Sequence, residues 1–288
     1  MTTPTLSVVI PAYNEAPRLG KSLQTIFAYL NEQSSDSEVI VVDDGSTDET
    51  TQVAEHEFAA AGARIRTQLI KIQPNRGKGY VVRTGLLAAR APVALFSDAD
   101  LSTPITETPK LVAPIRAGQY DLVIGSRALD RSLIGVHQSW RREQGGRLVN
   151  LLVRLATGMK IWDTQCGFKA FRTDVCRPVF EAATIDRFGF DIEFLFIAHL
   201  AGLRLLERPV RWDHSEGSKL NPARDGLRML QEINLIRAQA RRGVYDEAIR
   251  AARAAAESEG ARPLFTTGDS PATESDVSPE LASAARRI

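Results

Sequence analysis

The chain has 288 residues, 43% of them hydrophobic, with a formal net charge of +1. That length and apolar content suit one large α/β domain or two small ones around a real core. The balanced charge makes no general case for nucleic acid or for strong membrane attraction. Cys166 and Cys176 have no zinc-ligand spacing and form no disulfide framework, so they read as reduced thiols. No apolar run approaches the ~18–20 residues of a membrane span, and no signal-peptide pattern precedes the first strand. The expectation is a cytoplasmic protein that meets any lipidic substrate from the water side, peripherally at the inner face of a membrane.

In chain order, Leu6 to Pro11 is an apolar β-rich run, followed by the polar loop Ala12-Tyr13-Asn14-Glu15. Pro17 suits the first turn of a helix, and Leu19, Leu23, Ile26, Phe27 and Leu30 then recur at helical spacing. Glu38 to Val42 predicts a second buried strand ending in Asp43-Asp44-Gly45-Ser46. Ser46 and Glu49 have capping-box spacing for a helix running to about Gly62. Arg64 to Ile72 predicts a third strand, and Asn75-Arg76-Gly77-Lys78-Gly79 opens a helix over Tyr80 to Ala91. Pro92 to Ser97 predicts a fourth strand that ends abruptly in Asp98-Ala99-Asp100.

Strands alternating with helices of this length argue for βαβ units and a mostly parallel sheet. Each strand end carries a polar signature: Tyr13 and Glu15, Asp44, Lys78, then Asp98 and Asp100. Four such signatures along one rim point to a nucleotide-type site, because ligands in open α/β sheets bind beyond the carboxyl ends of strands. Asp98 and Asp100 flank one small residue, which lets two carboxylates converge on a hard divalent cation such as Mg²⁺ or Mn²⁺. Lys78 sits between glycines at a helix start, a good place for an anion.

The second half differs. Asp121 to Ser126 predicts a strand, followed by a long polar stretch with Arg127, Arg131, His137, Arg141, Arg142 and Arg147. Leu148 to Leu155 is apolar on nearly every side, broken only by Asn150 and Arg154. Thr164 to Phe171 alternates like a strand, Asp191 to Leu200 is an aromatic-rich helix, and Leu203 to Trp212 is a last strand ending in Asp213-His214. Asn221-Pro222 caps a helix to about Arg242, with Leu227, Leu230, Ile233 and Ile236 on one face. A helical extension over 243–259 and a disordered tail over 260–288 complete the chain.

With these residues placed, the chain resembles an inverting family 2 glycosyltransferase of the GT-A fold, a Rossmann-like, mostly parallel sheet flanked by helices. The matching pieces are Val9 to Glu15, Val41 to Asp48, Asn75 to Gly79 and Asp98-Ala99-Asp100. Within the family it most resembles the polyprenyl-phosphate sugar synthases, through Gly125-Ser126-Arg127, Thr164 to Lys169 and Gly217-Ser218-Lys219. The resemblance implies one domain over residues 1–242, with a nucleotide-sugar-binding half (1–120) and an acceptor half (121–242). It implies transfer of a hexose, with glucose from UDP-glucose as the first choice, to a polyprenyl phosphate with Mg²⁺ or Mn²⁺ as cofactor. GDP-mannose as donor, a soluble acceptor and a non-catalytic nucleotide-sugar-binding protein are the alternatives.

The resemblance also assigns roles. Asp98 lies nearer the ribose and Asp100 is the firmer metal ligand, while Pro11, Ala12, Tyr13, Glu15 and Ala99 wall the nucleotide. Asp44 accepts a hydrogen bond from the base, or is a turn aspartate. Lys78 faces the diphosphate. Ser102 completes the metal shell or caps a helix, and His214 reaches the ion or diphosphate or is an ordinary histidine. Arg127 and Arg141 lie at the separation of two arginines that grip the lipid phosphate in related synthases, with Arg131 and Lys219 as secondary candidates. Asp191 and Glu193 stand where family members often carry a catalytic carboxylate, or they orient basic side chains. A general base deprotonates a sugar hydroxyl, whereas a lipid phosphate is already anionic, so both a base at Asp191 or Glu193 and no base at all stay open.

Overall fold

The computed structural model describes residues 3–136, 140–213 and 222–259. The elements run β1 (Leu6–Ala12), α1 (Ala16–Asn31), β2 (Ser37–Asp43), α2 (Thr50–Ala59), β3 (Ile65–Lys71), α3 (Lys78–Ala88), β4 (Val93–Ser97), α4 (Thr108–Arg116) and β5 (Leu122–Ser126). They continue with β6 (Ile134–Val136), α5 (Trp140–Thr157), β7 (Phe168–Arg172), α6 (Thr173–Ala182), α7 (Phe190–Ala201), β8 (Leu205–Pro209), β9 (Trp212–Asp213), α8 (Pro222–Arg241) and α9 (Asp246–Glu259).

Seven strands form the central sheet in the order β3-β2-β1-β4-β7-β5-β8, and β6 pairs with β9 beside it. Every pair in the large sheet is parallel except those made by β7, which runs antiparallel to both β4 and β5. Alternate side chains feed two cores. Val8, Ile10, Val39, Val41 and Leu95 pack beneath α1 and α4, whereas Val9, Ile40, Val42 and Phe96 pack against α3, α6 and α7. Strands covered on both faces read as continuous apolar runs, as β1, β2 and β4 do.

Three local expectations are corrected. Ser46 and Glu49 make no capping box: α2 starts at Thr50 and no side chain caps it. Ser46 instead bonds the Asp43 carboxylate and accepts the Asn14 N–H at 2.9 Å, joining two strand-end loops. The predicted strand from Leu203 is divided, because β8 ends at Pro209, which has no N–H to continue a ladder. β7 does not alternate either. All five of its residues are buried, Lys169 and Arg172 included, because it is an inner strand with helices on both faces.

The 243–259 segment is built into the domain as α9, with Tyr245 and Ala252 fully buried in the core beside α6 and α7. Glu193 explains part of that attachment and is the fourth correction. Expected as a catalytic carboxylate, it is fully buried and accepts the Thr184 and Ile185 N–H groups at 2.9 and 2.8 Å and the Tyr245 hydroxyl at 2.7 Å. Its oxygens fasten α7, the 184–185 turn and the C-terminal segment together, which leaves it no face toward a substrate. Residues 260–288 lie outside the described residues.

Tyr245→Phe removes one donor from this buried carboxylate. It is expected to lower stability by about 1–3 kcal/mol, the cost of leaving a buried acceptor short of a partner. The urea unfolding midpoint measures it.

Candidate active site

The polar ends of β1 to β4 gather on one rim, because parallel strands linked by helices all finish on the same edge of the sheet. The end of β1 leaves Pro11 and Ala12 buried and Tyr13 exposed. Glu15 does not stand free, since it holds Arg18 one turn along α1.

Asp44, just past β2, is buried. Its Oδ1 accepts the Arg76 N–H at 2.7 Å and its Oδ2 the Gly77 N–H at 2.8 Å. This aspartate therefore pins the loop before α3 to the end of β2. Gly77 adopts φ +110°, and a Cβ there would stand 2.5 Å from the Asp186 carbonyl oxygen. The glycine meets both a backbone and a packing demand. The same carbonyl accepts the Tyr80 N–H at 3.1 Å, so α3 is stitched to the 184–187 loop. Arg76 and Arg83 close on the Asp186 carboxylate from outside, at 3.1 and 2.8 Å.

Lys78, the first residue of α3, reaches Asp98 with 2.6 Å between Nζ and Oδ1. Burial works against its charge, but Asp98 and then Asp191 outweigh burial and hold its pKa above the ordinary value. Asp98 sits at the end of β4 and donates its N–H to the Gly167 carbonyl at 3.1 Å. Asp100 turns back on its own loop, accepting the Ser102 N–H at 2.9 Å. Between them, the buried Ala99 accepts the Ser22 hydroxyl at 2.6 Å, which ties the motif to α1. Ser102 caps no helix, because the next helical turn opens at Ile105 behind Pro104. Its carbonyl accepts the Asp213 N–H at 2.8 Å, which brings the β9 strand beside the motif.

The donor set here suits a hard divalent ion. Asp98 and Asp100 supply carboxylate oxygens, Asp98 is a third exposed, and the second Asp100 oxygen has no described donor. Among the described residues no cluster of three or more ligating side chains exists. An ion held by one or two carboxylates and completed by substrate phosphates fits this pattern.

Arg127, expected to grip the acceptor, follows β5, but Asp163 occupies its fork. Nε to Oδ2 is 2.7 Å and Nη2 to Oδ1 is 2.8 Å. Asp163 also accepts the Arg127 N–H at 2.9 Å, and Arg127 keeps about a third of its side chain exposed next to Trp212. Burial raises the Asp163 carboxyl, yet Arg127 reverses this and holds it below the usual carboxylate range. Arg131 lies exposed in a short 3₁₀ turn. Arg141 falls within α5, with its side chain outside the described residues, as are His214 and Lys219.

Asp191 is buried at the start of α7, paired with Lys169 at 2.5 Å. Sequence reasoning overlooked Lys169, Asp163 and Asp186. The signal for the first was a lysine set between the apolar Phe168 and Ala170 of a predicted strand. The other two carry no local signal, because their partners are 36 and more than 100 residues away in sequence. Cys166 is buried and its thiol is pushed up to about 12 by burial, so it is an inert wall.

A Cβ at Gly167 would lie 2.0 Å from the Asp98 Oδ2. Gly167→Ala is therefore expected to displace the Asp98 carboxylate. Turnover should drop by about 100-fold or more, as a misplacement near 1 Å does, with an unchanged unfolding midpoint. Steady-state kinetics beside a urea titration check it.

Residues 7–180 match the family model described as "Glycosyl transferase family 2". Dolichyl-phosphate beta-glucosyltransferase of Drosophila melanogaster is 37% identical over 242 residues, covering 80% of this chain and 74% of that protein. The Homo sapiens enzyme of the same name is 34% identical over 246 residues, covering 82% and 75%. Among solved structures, glucosyl-3-phosphoglycerate synthase of Mycobacterium tuberculosis, in complex with Mn²⁺, UDP and phosphoglyceric acid, aligns with a TM-score of 0.60. It is 20% identical and covers 83% of this chain and 78% of that one, a likeness of fold. With the GT-A sheet and its carboxylate-bearing rim, these matches make the chain a glycosyltransferase, a member of glycosyl transferase family 2.

Proposed function

We propose that this chain transfers glucose from UDP-glucose to a polyprenyl phosphate, with inversion at the anomeric carbon. The observation that carries the reading is the meeting of Lys78, Asp98 and Asp100 at the strand-end rim. It is supported by 33–37% identity to four dolichyl-phosphate beta-glucosyltransferases over most of the chain. UDP and Mn²⁺ or Mg²⁺ in the glucosyl-3-phosphoglycerate synthase structures support the donor and the cofactor.

Asp98 and Asp100 would hold the Mg²⁺ or Mn²⁺, which when bound neutralises charge on the departing diphosphate. Lys78, presented by the first turn of α3, adds a fixed positive charge to the same leaving group. Asp44 shapes the base pocket by holding the Arg76–Gly77 loop, so its contribution to the base runs through that loop. The acceptor phosphate oxygen attacks the anomeric carbon on the face opposite the diphosphate. The new C–O bond forms as the old one breaks, and the bonding pair leaves with UDP. A phosphate mono-anion has no proton to lose at the attacking oxygen, which agrees with Asp191 and Glu193 being committed to internal partners. Arg127, oriented by Asp163, turns its remaining N–H groups toward the acceptor phosphate.

Radiolabelled UDP-glucose and GDP-mannose, each offered with a short polyprenyl phosphate, test the assignment. Labelled lipid is expected from UDP-glucose only. It should disappear with EDTA, return with Mg²⁺ or Mn²⁺, and fall by orders of magnitude in Asp100→Asn. Full activity in excess EDTA, or transfer from GDP-mannose alone, would overturn it.

We further propose that α5 brings the protein to a bilayer. No helix of the described residues is long and apolar enough to cross a membrane. Helix α5 divides its apolar residues: Val153 is fully buried, while Leu148, Leu151 and Leu155 are half to three-quarters exposed along one face. Trp162 is also exposed, with Arg154 stacked 4.0 Å from its ring centroid. An apolar face with basic flanks suits the headgroup region. The protein is expected to cosediment with anionic liposomes, less so as salt rises. Leu151→Glu should abolish that binding and leave UDP affinity intact. Absence of cosedimentation at low salt would remove this proposal.

A further inference from the structure

Lys169 is a charged residue in the middle of a sheet. It lies on β7 between Phe168 and Ala170, with only 1% of its side chain exposed. Burying an ammonium is costly unless acceptors surround it, and packing alone would favour an apolar residue here. Its Nζ stands 2.5 Å from the Asp191 Oδ1 and 2.6 Å from the Cys166 carbonyl oxygen. The same nitrogen lies 5.8 Å from the centroid of the Phe96 ring, and the Lys78 nitrogen lies 5.6 Å from that centroid. Two ammonium groups thus adjoin one ring. Lys169 is in contact with Asp191 and Lys78 with Asp98.

The two pairs are within each other's field. Burial pushes the Asp191 carboxyl up, and Lys169 followed by Lys78 draws it back. Lys78 in turn responds to Asp98 and then to Asp191. Asp163 also feels Lys169, but its own oxygens are closed on the Arg127 fork. Lys78 therefore has two acidic neighbours, and a four-carbon stem able to follow either.

We propose that Lys169 is a positioning residue for the donor site: by committing the Asp191 carboxylate, it leaves Lys78 to the Asp98 side, where the diphosphate binds. The inference rests on the reading that Asp98, Asp100 and Lys78 hold a nucleoside diphosphate. Without Lys169, the buried Asp191 carboxylate would be left with the Lys78 ammonium, which adjoins the same Phe96 ring, as a cation that draws on it. Drawing Lys78 away would remove a charge from the diphosphate and leave Asp98 without its partner.

Three variants give a sign pattern that general destabilisation does not. Lys169→Met leaves Asp191 uncommitted and is expected to weaken UDP binding, measured by calorimetry with Mn²⁺ present, by about tenfold or more, the scale of one lost charge-assisted hydrogen bond. Asp191→Asn creates no competitor for Lys78 and should bind UDP within about threefold of wild type, below the tenfold that one such bond is worth. The double variant should recover binding relative to Lys169→Met, because the uncommitted carboxylate is gone. A structural role alone predicts losses that add.

The inference is overturned if folded Lys169→Met binds UDP like wild type. It is overturned equally if the double variant binds no better than Lys169→Met. Should Lys169→Met fail to fold, Lys169→Gln replaces it with the same outcomes, since its amide still donates to Cys166 but carries no charge. Wild-type protein that binds neither UDP nor GDP would overturn the donor reading itself and the inference with it. Wild-type binding with no effect at Lys169 overturns this inference alone.

Discussion

The Asp98 carboxylate is the fixed point of this molecule. Its backbone N–H is held by Gly167, its oxygen by Lys78, and no side chain fits on the strand that passes beside it. Each constraint comes from a different part of the chain. The parallel β4 delivers the aspartate to the rim, α3 delivers the lysine, and the antiparallel β7 delivers the glycine. The lysine and the bare glycine together favour one placement of this carboxylate. Preorganisation of that kind makes fixed charges effective at a developing negative charge.

Burial of charge follows the same logic away from the rim. Lys169 with Asp191, Arg127 with Asp163, and Arg204 with Asp121 each place a buried acid against a cation at 2.5 to 2.7 Å. Such pairs add little net stability compared with apolar packing, but losing one partner strands the other. Their value is directional. Arg204 and Asp121 join the start of β8 to the start of β5, and Asp163 sets the plane of the Arg127 guanidinium.

Residues 184–187 link α3 to the C-terminal helices. Glu193 and Tyr245 hold one end of that stretch to the C-terminal helices, and the Asp186 carbonyl meets the N–H of Tyr80 at the other. The C-terminal segment lies beyond the family match at residues 7–180, yet it bears through this loop on the helix that carries Lys78. Position in the sequence gives no hint of this link.

The amino-acid sequence by itself determined the parallel half and its rim. Apolar runs six or seven residues long, separated by helical repeats, admit few arrangements other than βαβ units. Their polar ends must then share an edge, so Tyr13, Asp44, Lys78 and Asp98 were legible together. Tertiary structure alone decided the direction of β7, because a five-residue strand looks the same read either way. It also decided that Ser46 reaches Asn14 rather than capping α2, and that Glu193 faces Tyr245 rather than a substrate. Which basic side chain meets which acid was equally hidden. Ion pairs form across separations of 22, 36 and 83 residues, and their partners become neighbours only once the sheet has closed around β7.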